Sequence, residues 1–173
     1  MELSKIVELL SYTAPSIATG IMAYFFFLRY TKIEEQKMKL MLLKEEHKGT
    51  LAIKLQAYER MALFLERINP SKLLTRITSV NNDKEAYVIS LINTIEQEFE
   101  HNLTQQIYIS DKCWSIIITS KNATIQLIKK TSGEESIINA QELREGILRK
   151  MIHTTAPSNT ALAFIKDEVR SFM

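Results

Sequence analysis

The sequence predicts an all-α protein, in which an N-terminal transmembrane helix is followed by a cytoplasmic helical bundle of about five or six helices. Four glycines and three prolines in 173 residues are few, and this composition favours helices over a turn-rich β fold. Apolar residues recur at spacings of three and four through most of the chain, as in amphipathic helices. Residues 9–28 are different, because they carry no charge at all.

The uncharged segment predicts a single membrane crossing. A helix of that length spans about 30 Å, the thickness of the hydrocarbon layer of a bilayer. We therefore expect a short extracytoplasmic N-terminus at residues 1–8, a transmembrane helix at 9–28, a juxtamembrane helical stalk at 29–50 and a cytoplasmic helical domain at 51–173. Two alternatives are a signal peptide, cleaved near residues 16–18, and a buried core helix of a soluble domain.

Basic residues around the segment predict its orientation. One lysine precedes it, whereas six basic residues follow it within twenty positions, namely Arg29, Lys32, Lys37, Lys39, Lys44 and Lys48. Since the side richer in lysine and arginine stays cytoplasmic, we expect a single-pass protein of a bacterial inner membrane with its C-terminal domain in the cytoplasm. The lipid bilayer is then one partner.

Small residues recur every four positions within the segment, at Ala14 and Ala18 and at Ser16 and Gly20. This spacing permits close approach of two helices in lipid. The alternative is a lone helix of ordinary membrane composition.

The helical domain is predicted element by element. The stalk ends at Gly49-Thr50, and a helix follows at 51–68, where Ile53, Leu55, Tyr58, Ala62, Leu65 and Ile68 are the candidate core positions. Asn69-Pro70 ends this helix and starts a short one at 70–76.

Further helices are expected at 84–106, 111–130, from Asn139 to His153, and at 158–172. Asn139 with Glu142 resembles a capping box, and Ser110 is a good N-cap for the helix that follows it. The β-branched run at 116–119 leaves a strand as the competing interpretation there.

Charge and cysteine content exclude some classes of function. A net charge of +2 argues against a nucleic-acid-binding protein. One cysteine, Cys113, excludes an internal disulfide; its place near a helix start could lower its pKa, although Trp114 beside it suggests burial. Glycine-rich phosphate-binding motifs are absent from the sequence, and no cofactor is predicted.

A polar cluster on the 51–68 helix is the candidate interaction surface, and it comprises Gln56, Glu59, Arg60, Glu66 and Arg67. Arginine is a frequent anchor in protein interfaces, and Tyr58 lies beside the cluster. The alternative is a solvated face, since exposed ion pairs contribute only about 0–1 kcal/mol.

Glu98 and His101 form a Glu-x-x-His pair that a helix places on one face. Di-iron carboxylate bundles use two such pairs and two further glutamates. Because only one pair occurs here, these residues are weak candidates for a metal site, and a solvated or hydrogen-bonded face is the simpler interpretation.

Two segments, LAIKLQAYERMALFLERINPSKLL at 51–74 and EFEHNLTQQIYISDKCW at 98–114, resemble a family of uncharacterised Bacteroidota proteins with one N-terminal membrane helix. The likeness extends over nearly the whole chain. It implies a cytoplasmic helical domain on a membrane anchor, and it implies no activity or catalytic residue.

The sequence therefore favours a membrane-anchored, non-enzymatic interaction or scaffold protein, a subunit of or adaptor to an inner-membrane assembly. Its protein partner would be another subunit or a second copy of itself, and nucleic acid is not expected. The alternative is a membrane-tethered, metal-dependent enzyme that uses Glu98 and His101. A basic lipid-binding arm at 32–48 is a weaker idea, because four glutamates neutralise it.

Overall fold

The computed structural model describes the backbone of residues 2–79 and 81–172. The side chains of residues 2–4, 6–7, 9–10 and 46–48 lie outside the description. In the predicted N-terminal segment 1–8, only the side chains of Lys5 and Glu8 are therefore described, and in the segment 9–28 those of the first two residues are not. The chain forms two compact units, Met1–Thr50 and Leu51–Met173.

The described residues form helices and no strand, which confirms the all-α prediction. The α-helices are α1 (Glu2–Arg67), α2 (Pro70–Arg76), α3 (Lys84–Glu100), α4 (Asp111–Ser132), α5 (Ala140–His153) and α6 (Pro157–Ser171). A 3₁₀ helix, Leu103–Ile107, lies between α3 and α4. The strand considered at 116–119 is wrong, because these residues lie inside α4.

The N-terminal unit belongs to α1, and the transmembrane prediction at 9–28 needs correction. Across the part of the chain that the structure describes, no helix combines the length and the apolarity that crossing a membrane requires. Polar side chains interrupt the apolar segment and lower its mean hydropathy, namely those of Ser11, Thr13, Ser16 and Thr19.

The predicted helix break at Gly49-Thr50 is also wrong, since α1 continues through both residues. A glycine inside a helix costs about 1 kcal/mol relative to alanine. This cost does not end a helix whose neighbouring residues are good helix formers. The boundary between the two compact units nevertheless falls after Thr50.

The C-terminal part of α1 supplies one side of the core of the second unit. Its buried residues are Ala57, Tyr58, Met61, Phe64 and Leu65, and Ile68, directly after the helix, is buried with them. Three of the predicted core positions are among them, whereas Ile53 is 50% exposed. The Tyr58 ring lies 5.4 Å from that of Phe172, and the Phe64 ring lies 5.7 Å from that of Phe99. These aromatic pairs hold α1 against α3 and the C-terminal end of the chain.

The other helices complete this core with residues spaced three or four apart. The buried side chains include Leu73 and Leu74 of α2, Leu91 and Ile95 of α3, Ile117 and Ile128 of α4, Leu143 and Ile147 of α5, and Ala161 and Ile165 of α6. The Tyr87 hydroxyl of α3 is satisfied at its buried position, because it donates to the Ile77 carbonyl at 2.8 Å.

Side-chain caps fix the starts of four helices. The capping residues are Asn69, Asp83, Ser110 and Asn139, and each accepts a hydrogen bond from a backbone N–H in the first turn. The predicted cap at Ser110 is confirmed, with its Oγ 3.0 Å from the N–H nitrogen of Cys113. These caps satisfy donors that the helix itself leaves unpaired.

Helix α3 is shorter than predicted, because it ends at Glu100 and not near residue 106. The Asn102 amide donates to the Glu98 carbonyl at 2.8 Å, and such a local side-chain bond competes with continuation of the helix. The chain then turns into the 3₁₀ helix. Leu103, which a longer α3 would have turned inward, is 44% exposed as a result.

Removal of the Ser110 cap should destabilise the second unit. We expect Ser110→Ala to lower the free energy of unfolding by about 1 kcal/mol, because the Cys113 N–H loses its acceptor. Ser115→Ala is the matched control, since Ser115 is exposed inside α4. Urea unfolding followed by circular dichroism measures both. Equal effects of the two substitutions would contradict the role of the cap.

Candidate functional site

A surface groove lies between the outer face of α1 and the C-terminal end of α3, entirely within the second unit. Its volume is about 620 Å³, and its lining residues are Gln56, Glu59, Arg60, Leu63, Phe64, Arg67, Glu98, His101 and Asn102. We call it the α1–α3 groove. The lining positions of α1 recur at spacings of three and four, so they share one face of the helix.

Four of the five residues of the predicted interaction surface line this groove: Gln56, Glu59, Arg60 and Arg67. The fifth, Glu66, does not. It pairs instead with Lys72 of α2, because a residue one position before Arg67 points about 100° away from it around the helix. That the groove is an interaction surface stays a prediction.

Glu98 connects three helices at one end of the groove. Its Oε2 lies 3.2 Å from Nη1 of Arg67 on α1, and its Oε1 lies 3.3 Å from Nη1 of Arg76 on α2. The Glu98 side chain is only 16% exposed, so water screens these pairs less than ordinary surface pairs. The carboxylate therefore fixes both guanidinium groups in position.

The two ion pairs of Glu98 also affect whether Glu98 and His101 could bind a metal ion. Both carboxylate oxygens of Glu98 already face an arginine, and His101 is exposed at the end of α3, where its backbone N–H closes the helix. Within the residues that the structure describes, no group of three or more histidine, cysteine, aspartate or glutamate side chains is arranged to hold a metal ion.

Four other polar side chains of the groove have no bonded partner among the described residues. Among the described residues, the side chains of Gln56, Glu59, Arg60 and His101 make no hydrogen bond or ion pair. Leu63 is 57% exposed between them, while Phe64 is buried beneath. The groove thus offers charged and hydrogen-bonding groups around an accessible apolar side chain.

Sequence reasoning missed four contributors to this region, namely Leu63, Phe64, Arg76 and Asn102. Leu63 could have been found, because it lies seven residues after Gln56 and therefore on the same face of α1. Arg76 and Asn102 had no such signal, since their roles depend on where α2 and the end of α3 lie against α1.

Cys113 is buried and does not have the environment of a nucleophile. Burial, with the nearby Glu168 carboxylate as the lesser cause, raises the pKa of its thiol to about 12. Burial likewise raises the pKa of the Tyr58 hydroxyl to about 12. Desolvation therefore outweighs the helix N-terminus, and the thiol stays protonated at neutral pH.

The predicted helix-packing residues of the N-terminal unit, Ala14, Ser16, Ala18 and Gly20, are all exposed. A Cβ atom at Gly20 would meet no atom within 4 Å. Their use in packing against another helix stays a prediction.

The chain belongs to a family of unknown function, DUF7935, whose model matches residues 4–172. This agrees with the expected resemblance to a family without an assigned activity. No curated protein and no solved structure matches the chain.

Loss of the Glu98 charge should loosen the junction of α1, α2 and α3. We expect Glu98→Gln to reduce the free energy of unfolding by about 1 kcal/mol, because two arginines lose a largely buried ion-pair partner. Asp167→Asn is the matched control, since the Asp167–Arg170 pair is more than three-quarters exposed. Urea denaturation at low and high salt measures both. The idea fails if Asp167→Asn costs as much as Glu98→Gln.

The buried thiol should make the fold sensitive to alkali. A pKa raised from 9.0 to about 12 in the folded protein means that the unfolded chain loses this proton first, so stability should fall as pH rises above about 9. Tyr58, raised from 10.0 to about 12, adds to the fall above about pH 10. Urea midpoints measured across this range test the expectation.

Cys113→Ala is the control for that series, and its decline should begin nearer pH 10. The native thiol should also react with Ellman's reagent far more slowly than the same thiol in concentrated urea. Fast reaction of the native protein would show that Cys113 is accessible, contrary to its burial.

Proposed function

We propose that this member of the DUF7935 family is a non-enzymatic interaction protein whose α1–α3 groove binds a protein partner, either another subunit or a second copy of the chain. The observation that carries the proposal is the set of groove side chains left without partners around the exposed Leu63. Protein interfaces combine such an apolar centre with arginine and polar groups at the rim.

Rigid support favours recognition at this groove. Gln56, Glu59, Arg60 and Arg67 all project from one helix whose opposite face is buried in the core. A surface on a packed helix loses little conformational entropy when a partner binds. The arginine held by Glu98 is ordered in the same way.

We also propose that the protein works at a membrane, with the N-terminal unit as its attachment and the second unit on the cytoplasmic side. Large apolar side chains of the N-terminal unit are exposed at successive positions, among them Phe25, Phe26 and Phe27. Exposed aromatic and aliphatic side chains of this kind favour a position at the boundary between the headgroups and the acyl chains of a bilayer. Arg29 and Lys32 follow within five residues of Phe27 and suit the headgroups of anionic lipids.

Vesicle flotation tests the attachment. Full-length protein should float with phosphatidylglycerol-containing vesicles, and a variant with Phe25, Phe26 and Phe27 changed to serine should remain at the bottom of the gradient. The matched control changes Leu40, Met41 and Leu42, which are also exposed, and should still float. If the full-length protein does not float, or if the two variants float to the same extent, attachment through this segment is contradicted.

Site-specific photo-cross-linking in cells tests the groove. A photoreactive amino acid at Gln56 should give one discrete cross-linked species, because Gln56 lines the groove. The same amino acid at Gln126, exposed on α4, is the control and should give none. Identical products from both positions, or none from Gln56, would count against the groove as a binding surface.

The alternative function, a metal-dependent enzyme that uses Glu98 and His101, requires a carboxylate free to bind metal. Elemental analysis of the purified protein is the direct test. A stoichiometric metal that disappears in His101→Ala would favour the enzyme over the interaction protein.

A further inference from the structure

The arginines beside Glu98 have binding capacity left over. Each pair with Glu98 uses one nitrogen, Nη1 of Arg67 and Nη1 of Arg76, whereas a guanidinium group carries five N–H donors. The Arg67 and Arg76 side chains remain 47% and 36% exposed, compared with 16% for Glu98. The Glu98 carboxylate is therefore less exposed than the two guanidinium groups that it orients.

The charge around the α1–α3 groove is positive by one when Arg76, which contacts Glu98 but does not line the groove, is counted with the lining residues. Arg60 and Arg67 line the groove with Glu59 and Glu98, and Arg76 adds a third cation through Glu98. Three arginines thus face two glutamates, a surplus of one cation, and neither Arg60 nor Glu59 has an ion-pair partner among the described residues. A ligand that brings negative charge would complete the set.

We infer that the α1–α3 groove binds an acidic segment of its protein partner, in which carboxylate side chains contact Arg60 and Arg67 and an apolar side chain covers Leu63. The inference rests on the proposed function and specifies the chemistry of the partner. A guanidinium group already oriented by Glu98 can present two parallel N–H donors to an incoming carboxylate, the geometry in which arginine binds carboxylates best. Lysine cannot reproduce this geometry.

The proposed contact with Leu63 distinguishes an acidic protein segment from a small inorganic anion. Leu63 is 57% exposed in the middle of the lining, and inorganic phosphate has nothing to place on it. A peptide with glutamates on both sides of a leucine satisfies the arginines and covers this side chain at the same time. Burial of apolar area then adds to the charge-assisted hydrogen bonds.

The test is fluorescence anisotropy with the full-length protein and a fluorescein-labelled peptide of glutamates around one leucine. The control peptide replaces every glutamate with glutamine. We expect Arg67→Gln and Arg60→Gln each to weaken binding about tenfold, and Arg67→Lys to weaken it by a similar factor, because the paired donors are lost. Arg170→Gln, at an exposed arginine of α6, is the matched control and should change affinity less than twofold.

Arg60→Gln separates an effect on binding from an effect on folding. Arg67→Gln removes an ion pair of Glu98, but Arg60→Gln removes an exposed side chain without a partner among the described residues. Its effect on affinity therefore reports the groove itself, and thermal unfolding of each variant checks that the fold is kept.

Several outcomes would overturn the inference. Equal loss in Arg170→Gln would show attraction to overall charge, and equal binding of the glutamine peptide would show that the carboxylates are not recognised. Tighter binding of a phosphoserine peptide, or of phosphatidylglycerol vesicles through Arg60 and Arg67, would assign the groove to phosphate groups. If the cross-link at Gln56 persists while the acidic peptide does not bind, the interaction function stands and only the acidic partner is wrong.

Discussion

The structure of the second unit depends on how residues 57–67 of α1 are divided between two environments. One face packs into the core, where Tyr58 and Phe64 contact aromatic rings from other helices. The Tyr58 hydroxyl also accepts a hydrogen bond from the Ser110 N–H at 3.4 Å, which connects α1 to the start of α4. Because the buried face fixes the rotation of the helix, it also fixes which residues remain at the surface.

Glu98 links the packed helices to the α1–α3 groove, because it pairs with Arg67 and Arg76 and also lines the groove. A largely buried carboxylate without partners would be costly, and the two arginines that face it offset this cost. The same contacts hold α1, α2 and the end of α3 together and position Arg67 in the groove lining. Stability and recognition therefore draw on one cluster, so substitutions there need a stability control before any loss of binding is interpreted.

The sequence predicted the starts of the helices from local chemistry, and it predicted their ends less accurately. Ser110 and Asn139 were predicted as caps because their side chains reach a backbone N–H two or three residues away, a contact that any chain with that local sequence can make. The end of α3 was misplaced, because the Asn102 amide bond to the Glu98 carbonyl competes with helical pairing that the apolar pattern alone would continue. The transmembrane prediction gave too little weight to the polar residues inside the uncharged segment.

The sequence by itself determined the all-α class, the order of the helices, and the placing of Gln56, Glu59, Arg60 and Arg67 together on one face of α1, because helical periodicity requires only local geometry. Tertiary structure alone decided that Glu98 meets Arg67 and Arg76, the latter 22 residues away in sequence. It also decided that Cys113 is buried. These outcomes depend on the rotation and spacing of packed helices, which are set by the fit of side chains across the whole core and not by any short segment.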